Sequence, residues 1–297
     1  MTTFRVAAAA LPIERHARLG DYLSKLDAWV DRAVSNGAKL LVFPEYGAVE
    51  ATSIFGDDAS DLQLSTRRLQ AILPDIDNRL TALARAHALH ILGPSAPRFD
   101  LRDPTGGFRN TALFFGPSGR CLVQQKLIPT PWDRDPWKLS AGAGQTVFDT
   151  ALGKIGVAIC YDVEFPQLVR NLCAAGAEMI LAPSCTDAVS GYWRVRTGAQ
   201  ARALENQCIV VQSPTVGNAP WSPALDVNVG AAGVFGPPDL GFPETGVIAL
   251  GEMNAPGWIY ADIDLSLVRK VRASGATRNH FHWGEQPTRA VETVELV

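Results

Sequence analysis

Short apolar runs alternate along the chain with apolar residues at helical spacing, the pattern of strands laid against helices. Residues 6–11, VAAAAL, read as a first buried strand. Leu23, Leu26, Trp29, Val30 and Ala33 then recur at helical spacing over residues 22–34, and Gly37 stops that helix. Residues 39–46, KLLVFPEY, form a short strand ending in a proline and an acid. The polar segment 57–66 predicts a loop, followed by one long amphipathic helix over 69–88. HILGPS, residues 90–95, is a further strand ending at small residues, and 98–108 is a loop rich in Gly, Pro and charge. Residues 110–115 and 120–126 flank Gly116-Pro-Ser-Gly119, a hairpin signature. Residues 127–144 are irregular, with three prolines and two tryptophans, and 147–159 return to strand.

The second half then resembles the first. GAKLLVFP at 37–44 is matched by GAEMILAP at 176–183, each after a helix and each ending a strand. Ala84-Arg-Ala86 precedes the strand at 90–95, as Ala201-Arg-Ala203 precedes an apolar run at 208–213. Two related αβ halves follow from this match, in place of a long array of repeats. The class is α/β, with antiparallel sections supplied by the hairpins. Residues 229–257, rich in Gly and Pro, close the second half as loop and hairpin, and 258–263 add a strand. No linker with a shift in composition appears, which predicts one domain over 1–273. Beyond Ser274 the periodicity fades, and 274–297 read as an extended C-terminal arm.

Composition narrows the partners. The chain has 297 residues, 47% of them hydrophobic, enough for a sizeable core. A net charge of −3 gives no electrostatic case for nucleic acid. No apolar run is long enough to span a bilayer. The Ala-rich start lacks a basic n-region and reads as strand, so a cytoplasmic location is expected. Five cysteines, an odd number without CxxC pairing, are expected as free thiols in a reducing compartment.

Three candidate residues end strands: Glu45, Lys126 and Cys160. Strand ends on one side of a layered α/β fold converge on a pocket. Singly each has a plain structural reading: a helix cap, a solvated strand end, a core thiol. Cys160 adds a position between a strand, 155–159, and a helix-spaced set, Phe165, Leu168, Val169 and Leu172. There, unpaired N–H groups of a helix N-terminus favour a thiolate.

Taken together, FPE at 43–45, K-x-x-P at 126–129 and GVAICYDVEFP at 156–166 resemble the nitrilase superfamily of carbon–nitrogen hydrolases, in the family's order and approximate spacing. The resemblance runs over about residues 4–263. It implies a four-layer αββα sandwich with an internal pseudo-twofold, in agreement with the half-repeat, and a Glu45–Lys126–Cys160 triad. It also implies a homodimer or larger assembly, with no metal or organic cofactor. Such a site splits a small amide, or an N-carbamoyl compound, to acid and ammonia in two steps through a Cys thioester. Glu45 moves the protons, while Lys126 and the backbone N–H of Tyr161 stabilise the oxyanion. A nitrilase acting on a C≡N carbon uses the same residues. A catalytically silent scaffold relative is the alternative of another class.

Many members of the superfamily carry a second glutamate on the loop after the lysine. Here the matching position, counted back from Ser140-Ala-Gly142, holds Asp135, with Asp133 as the alternative; either is a shorter carboxylate. The resemblance draws the pocket walls from Tyr46, Trp132, Asp187, Trp193 and Arg194. Cys185 ends a strand without a companion motif and is expected as a wall residue. Glu164 is expected to face solvent or cap the helix. The His280-x-His282 pair and the remaining histidines show no metal spacing.

Overall fold

Strand β1 (Phe4–Pro12) explains the layering, because both of its faces are buried. Val6, Ala8 and Ala10 pack into a core that includes Ile180, Val210 and Phe235. Ala7, Ala9 and Leu11 point the other way, against Leu26, Val30, Ile76 and Leu80. Alternate residues of a strand face opposite sides, so a run of alanines lets a sheet and a helix layer both come close. The computed structural model describes residues 3–100 and 107–295.

In the first half β1 is followed by α1 (Leu19–Ser35), β2 (Ala38–Val42), a 3-10 stretch (Gly47–Ser60), α2 (Leu62–Leu69) and α3 (Leu73–Ala86). Then come β3 (His90–Leu92), β4 (Ala96–Phe99), β5 (Phe108–Phe115), β6 (Cys121–Gln125) and the short α4 (Pro131–Arg134). The second half has β7 (Phe148–Thr150), β8 (Gly153–Val157), a 3-10 turn (Cys160–Glu164), α5 (Pro166–Ala174), β9 (Met179–Ser184) and α6 (Val189–Asn206). It continues with β10 (Ile209–Asn218), β11 (Val227–Asn228), β12 (Gly233–Phe235), β13 (Val247–Leu250) and β14 (Gly257–Ile263). The chain closes with α7 (Leu265–Ser274), α8 (Asn279–His282) and a 3-10 turn (Trp283–Thr288).

The two halves pair their strands alike. One sheet runs β14-β1-β2-β3-β5-β6, parallel from β1 to β3 and antiparallel at the other joins. The other runs β7-β8-β9-β10-β12-β13 with the same sequence of directions. The internal pseudo-twofold thus sets β1, β2 and β3 against β8, β9 and β10, and the hairpin β5-β6 against β12-β13. β4 and β11 are short additions to β5 and β10. The sheets join where the end of β1 runs parallel to β10, Leu11 opposite Thr215 and Pro12 opposite Val216. Elsewhere they face each other, and Phe114 of β5 stacks on Phe148 of β7 with centroids 5.1 Å apart. Helices α1 and α3 cover one outer face, while Val169 and Leu172 of α5 and Val195, Ala199 and Ala203 of α6 cover the other. The result is a four-layer αββα sandwich.

Several local expectations are corrected. Segment 57–66, read as a loop, already contains the start of α2, because Asp61 caps it by accepting from the N–H groups of Gln63 and Leu64 at 3.0 and 2.9 Å. The long helix expected over 69–88 is shorter: Leu69 ends α2, and α3 begins only at Leu73, with Pro74 in its first turn. The strand expected over 147–159 is the hairpin β7-β8. Thr150 Oγ1 closes its turn by bonding Leu152 N and the Gly153 carbonyl, and Gly153 takes φ 124°. Of the loop expected over 98–108, the ends belong to β4 and β5, while 101–106 lie outside the described residues. The first part of the segment 274–297 folds back through α8. There Gln207 donates to the carbonyls of Val271 and Thr277 and accepts from His280 N–H. No described helix is long and apolar enough to cross a membrane.

The Phe114–Phe148 stack ties one sheet to the other, so Phe114→Ala should lower unfolding free energy by about 3–5 kcal/mol in urea titrations. A loss below about 1 kcal/mol would show that this ring does not hold the sheets together.

Candidate active site

Glu45, Lys126 and Cys160 meet where strands of the two halves end. Glu45 follows β2, Lys126 follows β6, and Cys160 follows β8. Cys160 turns the chain from strand into its 3-10 turn by taking a left-handed conformation, φ 49°, and Tyr46 beside Glu45 does the same at φ 55°. Such backbone in a residue other than glycine costs roughly 1–3 kcal/mol and persists only where its surroundings dictate it.

All three side chains are buried, with Glu45 1%, Lys126 2% and Cys160 6% exposed. Lys126 Nζ donates to Glu45 Oε1 at 2.8 Å and to Asp133 Oδ2 at 2.7 Å. Glu45 is held from two further directions. Asn110 Nδ2 donates to Oε1 at 2.8 Å and the backbone N–H of Cys185 to Oε2 at 3.0 Å. The Cys160 thiol donates to the Cys185 carbonyl oxygen across 3.8 Å. Asp162, two residues beyond the cysteine, accepts from the N–H groups of Leu127 and Ile128 at 3.0 and 2.8 Å. The lysine's loop is thereby tied to the cysteine's turn.

The arrangement places one ammonium between two carboxylates, and their environments drive the two acids apart. Burial raises the Glu45 pKa to about 6, with the ammonium of Lys126 opposing and the charge of Asp133 adding to the rise. Asp133 is also buried, but Lys126, the Tyr46 hydroxyl and Thr130 N–H together hold it below the usual carboxylate range. Burial works against the Lys126 charge, and the two carboxylates outweigh it, raising its pKa well above the ordinary value. Cys160 is pushed well above the usual thiol range by burial and by the negative charge of Glu45, despite the nearby ammonium. The thiolate expected from a helix N-terminus is therefore not the resting form. The resting pair is a neutral thiol beside a carboxylate able to take its proton.

These groups open into a cavity of about 410 Å³ whose walls include Tyr46, Trp132, Tyr161, Cys185, Asp187 and Arg194. Trp193, expected among them, is 48% exposed and lies outside this cavity; it sits against Arg196, 4.7 Å from the guanidinium carbon. Consecutive helical residues diverge by about 100°, so Arg194 can reach the pocket while Trp193 points away. Glu164, expected in solvent or as a cap, lines the cavity and pairs with Arg194 at 3.5 Å.

Asp135 is not the carboxylate at the lysine. Its side chain is exposed and pairs with Lys138, whereas Asp133 occupies the buried place. The reason is local. Thr130 caps α4, its Oγ1 accepting from Asp133 N at 3.1 Å, while Asp133 Oδ2 accepts from Thr130 N at 2.8 Å. This capping box turns Asp133 inward at the third helical position and leaves Asp135 beyond the helix.

Asn110 escaped sequence reasoning, although the predicted hairpin contained the signal. The register that pairs Phe115 with Cys121 and Thr111 with Gln125 runs on to set Asn110 across from Lys126. Asp162 had no such signal, since its partners lie on a loop far away in sequence. His280 is engaged with Arg170 at 3.3 Å, and burial together with Arg272 and Arg170 lowers its pKa to about 4. Among the described residues, Glu14, His16 and Glu50 could converge on a metal ion. Lys25 already stands there, 2.6 Å from Glu50 and 3.0 Å from Glu14, and supplies the positive charge instead.

The model of a family described as carbon-nitrogen hydrolase matches residues 5–273. A probable hydrolase of Bacillus subtilis, YhcX, is 34% identical over 258 residues, covering 87% of this chain and 49% of the relative. The chain thus spans about half the length of that protein. A deaminated glutathione amidase of Synechocystis sp. is 30% identical over 222 residues, covering 71% of this chain and 77% of the relative. The structure of Saccharomyces cerevisiae Nit3, a member of branch 10 of the nitrilase superfamily, gives a TM-score of 0.71 at 22% identity over 92% of this chain and 94% of that one. At that identity the likeness is one of fold.

The Glu45 pKa near 6 makes a pH prediction. Iodoacetamide labelling of Cys160, followed by peptide mass spectrometry, should rise as pH increases through about 6 and Glu45 ionises. Glu45→Gln should remove that rise and leave only the slow increase expected of a thiol titrating well above its usual range. Labelling of the wild-type protein that is flat from pH 5 to 8 would show that Glu45 does not control this sulfur.

Proposed function

Since the chain belongs to the carbon-nitrogen hydrolase family, we propose that it cleaves a small amide to an acid and ammonia through a thioester on Cys160. The observation that carries this reading is the meeting of a buried thiol, a buried carboxylate and the ammonium paired with it at one cavity. An amide carbon is a poor electrophile, and a resting thiol is a poor nucleophile until its proton is removed. Glu45 takes that proton as Sγ attacks the carbonyl carbon. The carbonyl π electrons move to oxygen, where the Lys126 ammonium and the backbone N–H of Tyr161 receive the negative charge. The oxyanion then collapses, the C–N bond breaks, and the proton on Glu45 passes to the departing nitrogen, which leaves as ammonia. Water enters, loses a proton to Glu45 and attacks the thioester carbon. Collapse of the second oxyanion breaks the C–S bond and returns the proton from Glu45 to the sulfur, releasing the acid.

A base working near neutral pH is most effective with a pKa close to that range, and of the two carboxylates at Lys126 only Glu45 is raised. Asp133 shares the ammonium without contributing as a base. The amidase named among the relatives favours an amide over a nitrile. The cavity volume suits a small compound, with Asp187 and Arg194 as polar wall groups and Trp132 as an apolar one.

Ammonia release by purified protein from a panel of amides, N-carbamoyl amino acids and nitriles tests the proposal. Release from at least one amide should vanish in Cys160→Ala and fall to a trace in Lys126→Ala. No release from any compound, or equal release by folded Cys160→Ala, would sink the thioester reading. Exposed Asp135 stands outside this machinery, so Asp135→Asn should keep kcat and KM within about twofold, as surface changes ordinarily do. A loss above tenfold would return Asp135 to the site.

A further inference from the structure

Tyr46 touches the site more closely than a pocket wall needs to. It follows Glu45 directly, and its left-handed backbone is fixed by an N–H donated to Ser95 Oγ at 2.9 Å. Its ring packs against Trp137 with centroids 4.6 Å apart. Trp137 is anchored in turn by its Nε1, which donates to Thr66 Oγ1 at 2.8 Å. So held, the Tyr46 hydroxyl donates to Asp133 Oδ1 at 2.7 Å, and Lys126 Nζ stands 5.7 Å from the ring centroid.

We propose that Tyr46 is a positioning residue: by satisfying Asp133 Oδ1 it keeps one N–H of the Lys126 ammonium free for the oxyanion. An ammonium has three N–H donors. Among the described residues two of these are engaged, by Glu45 Oε1 and by Asp133 Oδ2. The third is what the reaction needs. Asp133 Oδ2 also receives Thr130 N–H, but Oδ1 has the Tyr46 hydroxyl as its donor. Remove that hydroxyl and a buried anionic oxygen is left short of a partner, the costliest state for such a group. The neighbouring ammonium is the donor within reach. As the carboxylate swings to present both oxygens to Nζ, the third N–H turns away from the substrate and the cation is drawn from Glu45. The ground-state complex need not change, because the oxyanion exists only once the bond to sulfur forms.

This inference rests on the hydrolase reading above, and a double-mutant cycle separates the two. Tyr46→Phe, Asp133→Asn and the double variant are compared with wild type and Cys160→Ala on the best amide of the panel, with thermal unfolding as the check on folding. Tyr46→Phe should lower kcat about 10- to 100-fold while KM stays within about threefold, the scale of one hydrogen bond to a buried charge. Asp133→Asn should show the same split. The double variant should be no slower than the slower single one, because both changes break the same bond. Losses that multiply, or a Tyr46→Phe effect confined to KM, would place Tyr46 on the substrate or in the packing and overturn its positioning role while leaving the hydrolase reading intact. Wild type that releases no ammonia overturns both. Should Tyr46→Phe fail to fold, Asp133→Asn alone still decides, since a KM change at constant kcat contradicts the proposal.

Discussion

The structure turns on one buried ammonium held between two carboxylates. Lys126 is almost fully covered, and an unpaired charge at that depth would be destabilising by several kcal/mol. Glu45 and Asp133 offset that penalty, but only if three separate pieces of chain arrive in register. The end of β2 brings Glu45, the hairpin brings Lys126, and the capping box of α4 turns Asp133 inward. The pairing is therefore a test of the whole first half. It also leaves an excess negative charge in a poorly solvated place, which is what divides the two acids. Asp133 collects hydrogen-bond donors and stays ionised, while Glu45 is left easier to protonate.

The pseudo-twofold explains why this happens where it does. The strand ends of β2 and β9 are equivalent, and each carries a proline followed by residues that leave the sheet. In the first half that exit provides Glu45; in the second it provides the Cys185 amide that grips Glu45 from the other side. Cys160 comes from β8, the counterpart of β1, so the thiol and the Glu45 carboxylate belong to different halves. Neither half contains the site alone. Asp162 and the 127–128 backbone form the tie that keeps them aligned.

The protonation pattern separates this centre from a preformed thiolate. A helix N-terminus alone stabilises an anion at exposed sites, but here burial and the adjacent carboxylate dominate. The sulfur therefore keeps its proton until a neighbouring base takes it. The left-handed backbone at both Tyr46 and Cys160 belongs to the same design, since each residue is turned sharply at the strand end to aim its side chain inward.

What the sequence determined by itself is considerable: the alternation of strands and helices, the two similar halves, and the three strand-end residues that meet at the centre. Apolar periodicity and the closely spaced motifs around Glu45, Lys126 and Cys160 are local signals, so they survive without coordinates. Boundaries set by one side chain were less legible, as with the Asp61 cap that begins α2 and the Thr150 turn that folds 147–159 into a hairpin. The fourth charged member was misread, because counting along the loop favours Asp135 while the Thr130 cap selects Asp133. Trp193 and Arg194 are neighbours in sequence, yet α6 directs only Arg194 to the cavity. The state of Cys160 was beyond reach altogether. A pKa is the sum of burial and of charges brought from distant segments, and those distances exist only after the two halves have folded together.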